Sequence, residues 1–196
     1  MRLVVISGLS GSGKTSALNI LEDVGFTCID NLPVSLLPKL ISKLSSEGHS
    51  EDTKLAVGID ARNLAGDLNQ IPATLRSIES RGTSVSVIFL HARQTDLIRR
   101  YSETRRKHPL STNTVSLKEA IILETDMLAP IANIADRTIE TSGLSLHQLR
   151  DLIKNTVVPH DANHMSILFE SFGFKRGVPI DADFVFDVRC LPNPYW

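Results

Sequence analysis

Residues 8–15 read Gly8-Leu9-Ser10-Gly11-Ser12-Gly13-Lys14-Thr15, and this stretch decides the fold. It has the Walker A spacing G-x-x-x-x-G-K-[ST] and directly follows the apolar run Leu3–Ile6. Glycines let backbone N–H groups turn inward around an anion, and the helix predicted to open at Gly13 points its positive end at the same place. Lys14 supplies a mobile positive charge for the outer phosphates, and the Thr15 hydroxyl is the expected Mg²⁺ ligand. We therefore predict that this loop binds a nucleoside triphosphate.

Short apolar runs alternate with helical segments along the chain. The predicted strands span 3–7, 26–30, 55–60, 85–90 and 137–140. The predicted helices span 14–23, 34–46, 68–80, 94–102 and 117–128, with another after Ser145. Ser116 with Glu119, and Ser145 with Gln148, have the spacing of capping boxes. Buried strands separated by helices indicate a three-layer α/β domain of the P-loop NTPase type, with a mainly parallel sheet. Such sheets bind ligands beyond the carboxyl ends of their strands.

A second acidic group is expected near the loop, because P-loop proteins orient Mg²⁺ with a carboxylate from a neighbouring strand. Asp60 follows a predicted strand and has the best position for this role. It opens a second predicted nucleotide-binding motif, which consists of Asp60, Ala61, Arg62 and Asn63. The predicted catalytic residues are Lys14, Thr15 and Asp60, and the predicted Mg²⁺ ligands are Thr15 and Asp60.

Asp30 ends the second predicted strand and competes with Asp60 for the same role. It could equally bind an acceptor molecule, which would make the protein a small-molecule kinase. For either aspartate the alternative is a plain turn at the end of a strand, since Asp and Asn are common turn formers.

The segment His91–Lys107 concentrates positive charge in a chain whose net charge is only −1. Arginine forks suit phosphate oxygens, so this segment fits a lid that closes over the triphosphate. The predicted lid residues are Arg99, Arg100, Arg105 and Arg106. Two alternatives stay open, namely a contact with an RNA backbone and a solvated basic helix end.

Composition indicates an ordinary globular protein of 196 residues, with 42% apolar and 22% charged residues. The near-zero net charge gives no general attraction to nucleic acid or anionic lipid. We find no run long and apolar enough for a membrane span and no signal peptide, and we expect a cytoplasmic location. Cys28 and Cys190 form no disulfide framework, and Cys28 falls in a predicted buried strand.

The sequence predicts a domain of residues 1–157, a linker at 158–164 and the start of a second α/β domain at 165–196. His160 and His164 lie four residues apart, but a linker pair is favoured over a metal site because no third ligand has zinc-like spacing. The last segment is rich in aromatic residues, which indicates a second core. The alternative is a terminal hairpin that packs on the first domain.

Several blocks of the sequence resemble the bacterial RapZ/YvcJ family of P-loop nucleotide-binding proteins, known as RNase adapter proteins. Besides the loop, they are Glu22–Phe26, Asp30–Pro33, Asp60–Asn63, Arg99–Arg106, His108–Leu110, Phe169–Lys175, Asp181–Asp183 and Phe186–Arg189. The resemblance covers essentially the entire chain.

The resemblance implies an N-terminal domain that binds ATP and GTP and hydrolyses them slowly with Mg²⁺. We find no N-K-x-D motif that would select guanine. In enterobacterial members a C-terminal domain binds small RNAs, presents them to an endoribonuclease and carries the main oligomerising surface. Since the sequence stops at Trp196, we expect an incomplete C-terminal domain, with RNA binding, the endoribonuclease partner and normal homo-oligomer assembly belonging to full-length members.

Overall fold

A parallel β-sheet forms the centre of the first part of the chain. The computed structural model describes residues 1–46, 53–63, 65–157, 171–178, 184–187 and 189. Within these residues the strands are β1 (Arg2–Gly8), β2 (Thr27–Ile29), β3 (Lys54–Ile59), β4 (Ser84–His91) and β5 (Arg137–Glu140). They pair in the order β2-β3-β1-β4-β5, and each pair is parallel. The predicted mainly parallel α/β sheet is confirmed.

Helices cover both faces of this sheet. They are α1 (Lys14–Asp23), α2 (Leu37–Ser46), α3 (Ala65–Glu79), α4 (Gln94–Thr104), α5 (Leu117–Ala132) and α6 (Leu146–Val157). Alternate residues of β1 serve two separate cores, because successive side chains of a strand point to opposite faces. Leu3 and Val5 pack with buried residues of α2, α3 and α5, whereas Val4 and Ile6 pack with those of α1 and α6. The result is the predicted three-layer arrangement.

Some predicted boundaries differ from the structure at prolines. The helix predicted over 34–46 begins with a 3₁₀ turn, Val34–Leu36, and becomes α-helical only at Leu37. Pro38 has no N–H group for the first helical hydrogen bonds, so it suits the start of α2 rather than its interior. Helix α5, in contrast, is longer than predicted, because it continues past residue 128 and through Pro130. Ile131 is fully buried there, and its packing favours the additional turn.

The expectation that Cys28 lies in a buried strand is wrong. It lies in β2, which pairs with β3 on one side only, and it is half-buried at the edge of the sheet. Burial and the nearby Glu22 carboxylate raise the pKa of the Cys28 thiol to about 11, so the thiol stays protonated near neutral pH.

Both predicted capping boxes form. The Ser116 hydroxyl accepts a hydrogen bond from Glu119 N, and the Glu119 carboxylate accepts one from Ser116 N. Ser145 and Gln148 exchange the same pair of bonds at the start of α6. Among the helices of the described residues, none combines the length and the apolar content needed to cross a bilayer.

The chain divides into two compact units, Met1–Pro159 and His160–Trp196. In the second unit the described residues include a 3₁₀ turn, Phe174–Arg176, and an aromatic pair, Phe172 and Phe174, whose ring centroids lie 5.0 Å apart. The Arg189 guanidinium lies over the Phe174 ring and pairs with Asp187. The predicted linker at 158–164, with His160 and His164, lies outside the described residues, as do Cys190 and several of the predicted aromatic residues.

Candidate functional site

The loop between β1 and α1 depends on three glycines with positive φ. Gly8, Gly11 and Gly13 have φ values of 141°, 84° and 106°. A Cβ at Gly8 would lie 2.0 Å from the Leu90 carbonyl oxygen, to which the adjacent Leu9 N–H donates a hydrogen bond of 3.1 Å. Only glycine therefore allows the loop to leave β1 this close to the end of β4. Gly13 is the N-cap of α1, and the helix begins with Lys14.

Lys14 is folded back onto the loop. Lys14 is only 9% exposed, and its Nζ donates to the carbonyl oxygens of Gly8 at 2.7 Å and Leu9 at 3.1 Å. Burial lowers the pKa of the Lys14 ammonium group, and the negative charges of Glu124, Asp60 and Asp30 oppose that effect. A phosphate group would compete with the two carbonyls for the same ammonium group. Thr15 follows Lys14 in the first turn of α1 and is exposed.

Arg100 and Thr141 hold the outer side of the loop. The Arg100 guanidinium donates to the carbonyl oxygen of Gly11 at 2.8 Å and to that of Thr141 at 2.6 Å. The Thr141 hydroxyl in turn donates to the Ser12 carbonyl oxygen at 2.9 Å. The end of β5 and α4 are thereby tied to the loop through two side chains.

The four predicted lid arginines have different surroundings. Arg99 pairs with Asp96 at 3.0 Å along α4, and Arg100 is committed to the loop. Arg105 and Arg106 are exposed beyond the end of α4, and Arg106 lines a cavity above the loop. Arg100 lines the same cavity, whereas Arg99 and Arg105 do not. The lid formed by Arg99, Arg100, Arg105 and Arg106 stays a prediction.

Glu124 holds the inner side of the loop and is fully buried. Its Oε2 accepts from the Ser10 backbone N–H at 2.8 Å, and its Oε1 accepts from the Ser10 hydroxyl at 2.6 Å. Its Oε2 also lies 3.1 Å from Nε2 of His108, another buried residue, whose ring packs against Tyr101 with the centroids 5.3 Å apart. Burial raises the pKa of Tyr101, while a hydrogen bond with Ser10 opposes that rise.

Sequence reasoning missed Glu124 and His108. The available signal was weak: Glu124 lies in phase with Ala120, Ile121 and Leu128, so it belongs to the buried stripe of α5. An acidic residue on an apolar stripe indicates a buried polar partner, although its identity needs the structure.

Asp60 is buried and paired with Arg62. The Arg62 guanidinium donates to both carboxylate oxygens, with its shortest contact at 2.6 Å, and Arg62 N donates to Asp60 Oδ1 at 2.9 Å. Burial by itself raises the pKa of the Asp60 carboxyl. The hydrogen bonds from Arg62 and the charge of Lys14 outweigh burial and leave the pKa below its ordinary value. Asp60 is therefore ionised.

The rest of the predicted motif has structural contacts. Ala61 belongs to the apolar core, and Asn63 Oδ1 accepts a 2.9 Å hydrogen bond from Val34 N. Neither residue lines the cavity described below, whereas Asp60 and Arg62 do. Of the four residues predicted to bind the nucleotide, the structure therefore places Asp60 and Arg62 at the cavity.

Two cavities flank the loop. The first has a volume of about 440 Å³ and combines the loop residues Ser10, Gly11, Gly13, Lys14 and Thr15 with Asp30, Asp60, Arg62, Arg100, Tyr101, Glu103, Arg106 and Lys107. The second, of about 280 Å³, is lined by Ser12 and the neighbouring glycines together with Arg100, Thr141, Leu144, Leu146 and Leu149. Gly8 and Leu9, the first two residues of the loop, line neither cavity. The first cavity is within the usual size range of small-molecule sites.

Comparison with known proteins gives the family. Residues 1–160 match the RapZ-like N-terminal domain, and residues 165–196 match the RapZ C-terminal domain. This chain belongs to the RapZ family. Curated relatives called nucleotide-binding proteins are 56% identical in Saccharophagus degradans, 51% in Hahella chejuensis and 52% in Pseudomonas aeruginosa, over all of this chain. The chain spans 68% of each of these relatives.

Solved structures share the fold of this RapZ family member. A sugar kinase from Janibacter has a TM-score of 0.50 at 16% identity and covers 84% of this chain and 99% of its own. A tunicamycin resistance protein from Deinococcus radiodurans has a TM-score of 0.52 at 18% identity and covers 80% of this chain and 95% of its own. Shikimate kinase from Bacteroides thetaiotaomicron has a TM-score of 0.50 at 14% identity, with coverage of 80% and 98%. These likenesses confirm the α/β fold of P-loop kinases.

Proposed function

We propose that this protein binds ATP and GTP at the loop of residues 8–15, as a regulatory nucleotide-binding protein with weak ATPase and GTPase activity. The observation that carries the proposal is the position of the Lys14 ammonium group. It lies among the loop glycines, beside a cavity that has an excess of cationic side chains. Besides Lys14 the cavity is lined by Arg62, Arg100, Arg106 and Lys107, against the carboxylates of Asp30, Asp60 and Glu103. A triphosphate is the type of ligand whose charge suits this set of cations.

The phosphates would occupy the larger cavity. There they would meet Lys14 and the backbone N–H groups at the start of α1, where the helix dipole favours an anion. Arg106 and Lys107 would face the outer phosphates from the other wall. Because Lys14 Nζ already has two carbonyl partners, binding exchanges these neutral partners for charged ones, and such hydrogen bonds are stronger.

The smaller cavity suits the base. Its walls combine leucine side chains with the Arg100 guanidinium and the hydroxyl groups of Thr141 and Ser145. The apolar side chains favour a flat aromatic ring in general, while the Thr141 and Ser145 hydroxyl groups already bond with Ser12 and with Gln148 and so do not select one base. This lining supports binding of adenine and guanine alike.

The residues near Lys14 fit Mg²⁺ in the chemistry of their donor atoms. Thr15 offers a hydroxyl and Asp60 an ionised carboxylate, and Mg²⁺ prefers oxygen ligands. Within the described part of the chain, no group of three or more His, Cys, Asp or Glu residues could hold a metal. Mg²⁺ is usually bound mainly through a nucleotide's phosphates and water, with few protein ligands. When bound, the ion would neutralise charge on the phosphates.

The weakness of the proposed hydrolysis follows from Asp60. Both of its carboxylate oxygens accept hydrogen bonds from Arg62, and its pKa is lowered. Any aspartate carboxylate is a poor base for the activation of water near neutral pH, since a general base works best with a pKa near the operating pH, and the hydrogen bonds from Arg62 weaken this one further.

Isothermal titration calorimetry with ATP and GTP, each with and without Mg²⁺, tests the proposal. We expect binding of both nucleotides by the wild type and none by Lys14→Ala. Lys39→Ala, which removes an exposed lysine of α2, serves as the matched control and should bind like the wild type. Unchanged affinity of Lys14→Ala for either nucleotide would contradict the proposed site.

A small-molecule kinase is the second candidate, and Asp30 is the observation that favours it. Asp30 lines the cavity that contains Lys14 and Asp60. A Cβ on the neighbouring Gly58 would lie 2.7 Å from Asp30 Oδ1, so the absence of a side chain at Gly58 leaves room for the Asp30 carboxylate. Nucleotide turnover separates the candidates: a kinase should consume ATP much faster with some hydroxyl-bearing metabolite, and Asp30→Asn should remove the stimulation while nucleotide binding remains.

The RNase adapter role is a separate proposal, which membership in the RapZ family supports. It includes small RNA and an endoribonuclease as partners of full-length members, and it implies a cytoplasmic location. Gel shifts with small RNA, for this chain beside a full-length relative, test where RNA binds. Equal affinities would indicate that residues 1–196 carry the RNA-binding surface and would favour RNA contact by Arg105 and Arg106 over a lid.

A further inference from the structure

A single buried carboxylate joins the phosphate loop to the segment between α4 and α5. Glu124 accepts two hydrogen bonds from Ser10 in the loop and a third from His108 in that segment. Residues 102–107 are all exposed, and His108 is the first buried residue after them. His108 therefore anchors an exposed basic stretch to the same side chain that holds the loop.

The hydrogen bonds define the state of His108. Nδ1 accepts from Leu110 N at 3.1 Å, so Nε2 carries the proton and donates to Glu124 Oε2. The Tyr101 ring packs against the His108 ring at an interplanar angle of 51°, and Tyr101 also lines the larger cavity. The chain of contacts runs continuously from Ser10 through Glu124 and His108 to Leu110.

A ligand at the loop has a physical way to act on this chain. Lys14 Nζ is bound to the carbonyl oxygens of Gly8 and Leu9, and Leu9 immediately precedes Ser10. Phosphates that compete for Lys14 would draw its ammonium group away from these carbonyls. The Leu9 carbonyl, which also accepts a bond from Ser12 N, belongs to the same peptide group as the Ser10 N–H. A ligand shifts an equilibrium only by its different affinity for two states, and this competition supplies such a difference.

We propose that the Ser10–Glu124–His108 chain couples nucleotide binding at the loop to the conformation of the basic segment Arg105–Lys107. The inference rests on the proposed nucleotide binding and adds a regulated element to it. Glu124 and His108 act as positioning residues, since both act on the ligand through other groups. By thermodynamic linkage, a partner that binds the segment changes nucleotide affinity by the same factor.

Trypsin cleavage after Arg105, Arg106 and Lys107 reports the conformation of the segment. Cleavage of the wild-type chain is followed by mass spectrometry with and without saturating ATP and Mg²⁺, and calorimetry on the same samples measures binding. We expect nucleotide to change the cleavage rate at these sites at least about fivefold, the lower end of typical coupling between sites.

Two substitutions of His108 distinguish the effect of its hydrogen bond to Glu124 from the effect of its packing against Tyr101. His108→Phe keeps an aromatic ring against Tyr101 but has no donor for Glu124, whereas His108→Gln keeps a donor without the ring. We expect His108→Phe still to bind nucleotide in calorimetry but to lose the nucleotide-dependent change in cleavage, and His108→Gln to retain part of that change. Asp126→Asn, which removes an exposed carboxylate of the same helix, is the control and should behave as the wild type.

Each outcome decides the question. Because Arg106 and Lys107 line the cavity, nucleotide could protect them by direct contact alone. In that case His108→Phe would respond like the wild type, and the coupling chain would be rejected. A wild type that binds nucleotide without any change in cleavage would reject the coupling but leave the proposed function intact. A wild type that binds no nucleotide would reject both.

Discussion

At the scale of single residues, a side chain is unfavourable for different reasons at Gly8 in the loop and at Gly82, which lies between α3 and β4. Gly8 is excluded by contact, since a Cβ there would overlap the backbone of Leu90. Gly82 has a positive φ of 88°, but a Cβ there would have no atom within 4 Å. A comparison of substitutions at the two glycines therefore separates the energetic cost of steric overlap from the cost of the backbone conformation.

We predict that Gly8→Ala destabilises the protein by more than about 3 kcal/mol, because overlap with a backbone carbonyl adds to the cost of the conformation. Gly82→Ala should cost only about 1–2 kcal/mol, the usual cost of a left-handed conformation for an L-residue. Urea denaturation followed by circular dichroism measures both free energies of unfolding. Equal midpoints for the two variants would contradict the importance of the contact with Leu90.

The same scale separates what the sequence could predict from what it could not. Lys14 and the loop glycines are recognisable because their chemistry is local and lies within eight consecutive residues. Glu124 contacts Ser10 across 114 positions, and no spacing rule connects the two. Asn63 lies in a recognisable motif, yet its contact with Val34 is tertiary and gives it a structural position instead of a place in the cavity.

At the scale of elements, α4 contributes two neighbouring arginines with different tasks. Arg99 pairs with Asp96 on the same helix and is largely exposed. Arg100 connects α4 to the loop and to the end of β5, so it joins three elements. The sequence does not distinguish these two adjacent arginines, since both carry the same charge on the same helix. They differ only in the direction in which each side chain leaves α4.

We predict that Arg100→Ala destabilises the protein by about 2 kcal/mol, because it leaves carbonyl oxygens of Gly11 and Thr141 without their charged partner. Its affinity for ATP should fall about tenfold, since the loop loses support worth about 1.4 kcal/mol in the bound geometry. Arg99→Ala should change stability by less than about 1 kcal/mol, as exposed ion pairs contribute little. Thermal unfolding and calorimetry measure both effects, and equal losses in the two variants would argue against the tie to the loop.

Element boundaries were predictable where they depend on local signals and less so where they depend on packing. The capping boxes at Ser116 and Ser145 form as expected because their bonds connect residues three apart. The extension of α5 through Pro130 depends on the burial of Ile131 against other elements. The incomplete burial of Cys28 follows from the strand order, which places β2 at the edge of the sheet and which the alternation of strands and helices leaves open.

At the scale of the whole molecule, every described residue that lines either cavity lies between Ser10 and Leu149. The described buried residues of both apolar cores also lie in the first unit, and the last of them along the chain is Val157 in α6. In the second unit, by contrast, Phe184 and Phe186 are 82% and 78% exposed. Exposed aromatic side chains of this kind favour association with other apolar surfaces.

We predict that a chain ending at Pro159, the last residue of the first unit, unfolds cooperatively and binds ATP and GTP within about twofold of the longer chain, since the proposed site and its supporting cores are retained. Calorimetry on the two chains measures the affinities, and sedimentation velocity should show less self-association for the shorter chain. Lys14→Ala in the shorter chain is the control, and it should abolish binding there as well. Loss of nucleotide binding with cooperative unfolding preserved would mean that residues 160–196 contribute to the site, which the arrangement of the loop, Glu124 and Arg100 does not require.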